Sequence, residues 1–135
     1  MKVGSRLNTW LYRATGGKVG GRFLRGAPVL LMTSVGRRSG EPGTVPLLFL
    51  EDGDRVVVVA SQGGMPKDPD WYHNVVAHPR VEVEVGRRIR EMEARVLDGD
   101  ERAELWPRLV AMYSDYDDYQ ARTERTIPVV VLDPV

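Results

Sequence analysis

The chain has 135 residues, 42% of them hydrophobic and 28% charged, a size and balance suited to one globular domain. It contains no cysteine, which excludes disulfides, thiolate chemistry, cysteine-bound zinc and iron–sulfur clusters, and its two histidines, His73 and His78, stand five apart, off the spacing of a helical metal pair. The net charge of zero conceals an asymmetry: residues 1–40 hold eight basic residues and no acidic one, so the remaining 95 carry a net −8.

Residues 5–15 read as a short helix with Leu7, Trp10, Leu11 and Ala14 on one face, ended by Gly16-Gly17. Flanked by Arg6 and Arg13, such a helix either docks on the domain or lies peripherally on an anionic membrane. The segment rich in glycine that follows is a connector, and the domain boundary is expected at 27/28, with a basic appendage over 1–27 and the folded domain over 28–135. No apolar leader and no run of roughly 20 apolar residues is visible, so a cytoplasmic location is expected.

Strand signals begin at 28–35 and recur at 44–50, two apolar runs around the loop Gly36-Arg37-Arg38-Ser39-Gly40. Two arginines bracketed by glycines are poor core but a good anion clamp, since each guanidinium is a permanently charged fork of donors; the alternative is a solvated hairpin. Asp52-Gly53-Asp54 marks a tight turn before the β-branched run 56–59, a buried strand. Residues 60–67 (Ala-Ser-Gln-Gly-Gly-Met-Pro-Lys) then offer small side chains that let a flat ring approach the backbone, with Ser61 as a hydrogen-bond donor; read alone, it is equally a plain glycine loop.

Asp68-Pro69 predicts a capped helix over 70–77, closed by His78-Pro79. Trp71, Tyr72, His73 and Asn74 on its first turns suit an anionic, ring-bearing ligand, although Trp71 with Val75 also reads as core. Residues 80–85 alternate, predicting one wet face, 89–96 supply another strand and 127–132 a last one. Between them, a helix from about residue 98 presents Leu105, Leu109 and Met112 and should be kinked or divided by Pro107. Ser114-Asp115-Tyr116-Asp117 looks like a capping box opening a helix to about Arg122. At and just before it, Tyr113, Tyr116 and Tyr119 form a cluster, either packing or the wall of an acceptor slot. The fold expected is α+β, mainly β: a split β-barrel of about six mostly antiparallel strands with peripheral helices.

The arginine loop, the segment Val59-Ala60-Ser61-Gln62-Gly63-Gly64, the helix start Pro66-Lys67-Asp68-Pro69-Asp70-Trp71-Tyr72-His73-Asn74 and the run Arg122-Thr123-Glu124-Arg125-Thr126-Ile127-Pro128, in this order, resemble the deazaflavin-dependent nitroreductase family of actinobacterial split-barrel reductases. The resemblance covers about residues 29–135. It implies coenzyme F420, a deazaflavin with a phosphate and an oligoglutamate tail, as cofactor. It also implies hydride transfer to a small acceptor, quinone-like or, adventitiously, nitroaromatic.

By the resemblance Arg37, Arg38 and Ser39 hold the phosphate and acidic tail. Gly43, Thr44, Val45, Pro46 and Leu47, with Val59, Ala60, Ser61 and Gln62, contact the ring and its linker. Asp70, Trp71, Tyr72, His73 and Asn74 bind the phosphate side. Tyr113, Tyr116 and Tyr119 line the acceptor pocket, with Tyr116 or Ser61 orienting the acceptor and supplying a proton. The sequence departs from the family pattern at Leu48, in place of a tyrosine, at Gln62, in place of a lysine, and at Gly43, in place of an arginine. The competing readings are an FMN-binding split-barrel oxidoreductase and a non-catalytic module that binds anions or membranes. No nucleic-acid motif is present and no metal is called for; the chain is expected as a monomer or homodimer.

Overall fold

In a computed structural model that describes residues 27–135, seven strands form one antiparallel sheet: β1 (Val29–Val35), β2 (Pro42–Leu48), β3 (Leu50–Asp52), β4 (Arg55–Val59), β5 (Arg80–Val85), β6 (Arg88–Leu97) and β7 (Val129–Pro134). Their order is β2-β1-β5-β6-β7-β4-β3, so the two edge strands are neighbours in sequence. Phe49 joins them and donates its N–H to the Pro28 carbonyl at 3.1 Å. One bent segment thus pairs with β1 on one side and β4 on the other, curling the sheet into a split barrel with three helices among the described residues. The helices are α1 (Asp70–Ala77), α2 (Gly99–Met112) and α3 (Asp115–Arg122), and a short 3-10 turn spans Gln62–Gly64.

The curl creates two apolar layers. Inside it, Leu30, Met32, Val56, Val58, Val81, Val83, Met92, Val130 and Leu132 pack together, and Trp71 and Val75 of α1 join the same core. On the outer face of β4 and β7, Val57, Val59, Val129 and Val131 meet Leu105, Leu109, Tyr113 and Tyr116 of the helical side. These two strands are therefore buried on both faces, which is why they read as unbroken β-branched runs. Each fully buried valine or leucine contributes roughly 1.5–3 kcal/mol relative to exposure. The turn between β3 and β4 is tight, with Asp52 opposite Arg55 and Gly53 at φ +67°, the first central position of a hairpin turn that favours glycine.

Several sequence expectations are corrected. The expected single strand 44–50 is two, β2 and β3, because the chain changes partner strand at Phe49; seven strands result instead of about six. Asp68 does not cap α1: the helix starts at Asp70 after Pro69, with no side-chain cap, and the Asp68 carboxylate turns to Arg125 at 2.6 Å. Ser114 makes no side-chain cap on α3, whose first turn is closed instead by the Asp117 N–H donating to the Ser114 carbonyl at 3.2 Å. Pro107 does not divide α2, which runs unbroken, because buried Leu105 and Leu109 on either side hold both halves to the sheet while Pro107 itself faces solvent. The wet face of β5 is incomplete, since Glu84 is 6% exposed. The expected helix at 5–15, its basic residues and the connector after it lie outside the described residues.

Candidate functional site

The loop between β1 and β2 is closed by the Gly36 N–H donating to the Glu41 carbonyl and the Gly40 N–H donating to the Gly36 carbonyl, both at 2.9 Å. Arg37 docks this loop on α1. Its backbone N–H and its Nη1 both donate to Asn74 Oδ1, at 3.1 and 2.9 Å, and Nη1 also reaches the Asp70 carbonyl at 3.4 Å. The ion pair of Arg37 with Asp70 is 3.3 Å long, and the carboxylate is 83% exposed, so it adds little stability. Ser39 Oγ accepts the Glu41 N–H at 3.1 Å and shapes the turn. Arg38 is exposed and pairs with no acid among the described residues. The arginine loop and the start of α1, separated by 33 residues, are thus one surface.

On α1 the predicted residues divide by helical face. Trp71 is buried in the inner core with Val75, so it anchors the helix. Tyr72 is half-buried, edge-on to His73 with ring centres 5.4 Å apart; burial, then the nearby Asp68 charge, raises its phenol above the usual value. His73 and Asp70 face solvent, and Asn74 is engaged by Arg37. Strand β2 divides in the same way. Val45 and Leu47 pack on the inner core, whereas Thr44, opposite Thr33, lies on the other face and shares a 2.7 Å hydroxyl–hydroxyl hydrogen bond with it. Pro46 shares the Thr44 face by strand alternation, and Gly43 sits opposite Ser34 near the arginine loop. At the end of β4, Val59 packs against the helical layer and Ala60 against the inner core.

Residues 60–68 cross from β4 to α1, and Arg125, which carried no role in the sequence reading, holds them. Nε donates to the Met65 carbonyl at 2.8 Å, Nη2 to the Ser61 carbonyl at 2.7 Å, and Nη1 to the Ala60 carbonyl at 3.2 Å and the Asp68 carboxylate at 2.6 Å. Its side chain is 14% exposed. No spacing rule marks this arginine, because its partners lie about sixty residues away in sequence. Within the loop Gln62 adopts φ +44°, a conformation uncommon for a residue with a side chain. Gly64, at φ +78°, lies against the backbone of Tyr119.

That contact brings the tyrosine cluster to the loop. Tyr113, at the end of α2, and Tyr116 and Tyr119, on α3, stack at angles, with ring centres 5.1 Å apart for Tyr113–Tyr116 and 6.4 Å for Tyr116–Tyr119. The hydroxyls of Tyr113 and Tyr119 are 3.4 Å apart. Tyr116 is 3% exposed, inside the outer layer, and Tyr119 is the most open of the three, with the Arg122 guanidinium 5.6 Å from its ring centre. The Tyr116 phenol is pushed well above its usual value by burial, and that of Tyr113 chiefly by its hydrogen bond to Tyr119. Tyr113 and Tyr116 therefore keep their phenol protons at neutral pH. At the turn ends of β3–β4 and β5–β6, a groove bounded by Phe49, Val56, Val85, Arg88 and Arg90 contains none of the sequence-predicted site residues.

The curled antiparallel sheet, with its helices packed on it, defines the class as a split barrel. Its family model, described as F420H(2)-dependent quinone reductase, matches residues 4–134, and the chain belongs to that family. A Mycobacterium tuberculosis protein named F420H(2)-dependent quinone reductase is 39% identical over 130 residues, 94% of this chain and 87% of the relative. A solved F420-H2 dependent reductase is 41% identical, with a TM-score of 0.73, over 78% of this chain and 94% of its own. Another solved structure, described as a domain-swapped dimer, is 35% identical with a TM-score of 0.76, over 98% and 100%. More distant, a pyridoxamine 5'-phosphate oxidase-like protein from Listeria innocua, 19% identical over 78% of this chain and 82% of its own, shares the fold at a TM-score of 0.56.

Proposed function

We propose that this chain reduces a quinone-type acceptor with coenzyme F420 as its cofactor, bound across the surface that joins the arginine loop, residues 60–68 and α1. The observation that carries this reading is the state of Arg38. The loop around it is fixed by the bonds of Arg37 to Asn74, yet Arg38 itself is exposed and unpaired among the described residues. A free guanidinium on a fixed loop suits a phosphate or a chain of carboxylates. FMN, with one phosphate, leaves the acidic-tail part of this surface without a role.

The remaining residues fit the same ligand. The amide N–H groups of Ser61 and Gln62 donate to no described residue and stand where small side chains allow a ring to approach. When bound, the deazaflavin supplies hydride chemistry that no side chain here can provide. The chain binds and orients it: Arg38 and Arg37 at the anionic end, Asn74 and the start of α1 beside them, and Ser61 and Gln62 at the ring. Gly43 to Leu47 and Val59 to Ala60 form the framework behind, with Val45, Leu47 and Ala60 packing from the inner core. Tyr119, with Tyr113 hydrogen-bonded to it and Tyr116 buried behind, forms the acceptor wall, where a phenol or the Ser61 hydroxyl can donate a proton to the reduced acceptor. Nitroaromatic compounds are secondary acceptors on this reading.

On the same reading residues 28–135 are the cofactor-binding domain, since among the described residues strands and helices from 29 onward build both apolar layers. The eight basic residues among 1–40 support peripheral contact with an anionic membrane, which flotation with acidic vesicles tests. The relative that is a domain-swapped dimer supports a homodimer, which sedimentation tests. Titration of the purified chain with F420 and with FMN tests the cofactor assignment: micromolar binding of F420 and weaker binding of FMN are expected, and the reverse order would sink it.

A further inference from the structure

We propose that Arg125 is a positioning residue for the cofactor ring, acting through the backbone of residues 60–68; this rests on the reading above that the ring lies against that loop. The guanidinium collects the carbonyl oxygens of Ala60, Ser61 and Met65 and the carboxylate of Asp68. In a trans peptide the carbonyl of one residue and the N–H of the next point in opposite directions. Turning the Ala60 and Ser61 carbonyls inward onto Arg125 therefore aims the N–H groups of Ser61 and Gln62 outward, and neither of these donates to a described residue. The clamp thus creates two outward donors at fixed places. A deazaflavin ring presents carbonyl and ring-nitrogen acceptors along one edge, the partners such a pair of donors takes.

Arg125 is itself held in place. Its carbonyl accepts Gln120 Nε2 at 2.8 Å, and Gln120 Oε1 accepts the Ile127 N–H at 2.9 Å, so α3 fixes the segment from which the arginine projects. The same helix carries Tyr119 against Gly64. Cofactor loop and acceptor wall are therefore set by one helix, and the arginine is the member of that assembly that chooses which way the loop amides face. A lysine cannot replace it, since one ammonium cannot span four acceptors in a planar fork.

The experiment compares Arg125→Ala, Arg125→Lys and Asp68→Asn with the wild-type full-length chain. It measures F420 affinity per folded molecule, kcat and KM with menadione, and the absorption spectrum of bound F420. Arg125→Ala is expected to weaken F420 binding about tenfold or more and to shift the bound spectrum, with Arg125→Lys giving no recovery. Methylguanidinium restores binding to the alanine variant and methylammonium does not. If Arg125→Ala fails to fold, Asp68→Asn, which removes one of the four acceptors' charge and leaves the rest, is expected to weaken F420 binding severalfold with an unchanged fold. Folded variants that bind F420 within twofold of wild type with an unaltered spectrum would overturn the proposal. Failure of the wild type to bind F420 overturns instead the cofactor assignment on which it rests.

Discussion

Gly64 lies so close to Tyr119 that a Cβ on it would stand 2.6 Å from the Tyr119 carbonyl oxygen and 2.8 Å from its Cα. The obstruction is backbone, which cannot rotate aside, and the φ of +78° disfavours any side chain there. Gly64→Ala should therefore destabilise the fold by about 2–4 kcal/mol, combining left-handed strain with displacement of α3. Because the contact joins the loop to the tyrosines, the variant should weaken both F420 binding and the acceptor KM. Thermal melts together with steady-state kinetics check this; an unchanged melting temperature would contradict it.

The two loop arginines should separate in behaviour. Arg38→Ala removes a charge that is exposed and unpaired among the described residues, so F420 affinity should fall, its dependence on salt should flatten, and the melting temperature should stay within a degree or so. Arg37→Ala also removes the side-chain bond to Asn74 and should cost roughly 1 kcal/mol of stability besides. Binding titrations at two ionic strengths, paired with melts of each variant, distinguish them.

These differences show what the sequence could carry. The runs 56–59 and 129–131 were legible as strands because both of their faces are buried, and α1 was legible because prolines bound it at both ends. The break at Phe49 was not, since Leu48, Phe49 and Leu50 are equally apolar and only pairing to two different strands divides them. Asp68 looked like a cap because its local pattern was right; an arginine 57 residues away competed for its carboxylate and won. In the candidate site, residue types singled out the arginine loop and the tyrosines, but not that Asn74 belongs to Arg37 or that Tyr116 is enclosed.

The tyrosine cluster gives the stability a sign with pH. The Tyr116 phenol is raised in the folded chain from an unfolded value near 10, so the native state holds its proton where the unfolded chain loses it. Stability from this source is complete below about pH 10 and is lost as pH rises beyond it. Melting curves of wild type should fall above that pH, and Tyr116→Phe should fall less steeply. Equal slopes for both proteins would show that Tyr116 titrates no differently when folded.

The outer layer should be as costly to empty as the inner one. Leu109→Ala removes a fully buried side chain between α2 and the valines of β4 and β7, and should cost about 2–5 kcal/mol in urea unfolding. A cost under 1 kcal/mol would mean that the helices rest on the barrel only loosely.

The central claim, that this surface serves F420-dependent reduction of a quinone-type acceptor, is tested most directly by anaerobic oxidation of reduced F420 with menadione in the presence of the full-length chain. Deazaflavin absorbance should return at a rate proportional to protein concentration and saturable in menadione, and Arg38→Ala should slow it at low F420. No oxidation above the rate without protein would contradict the claim.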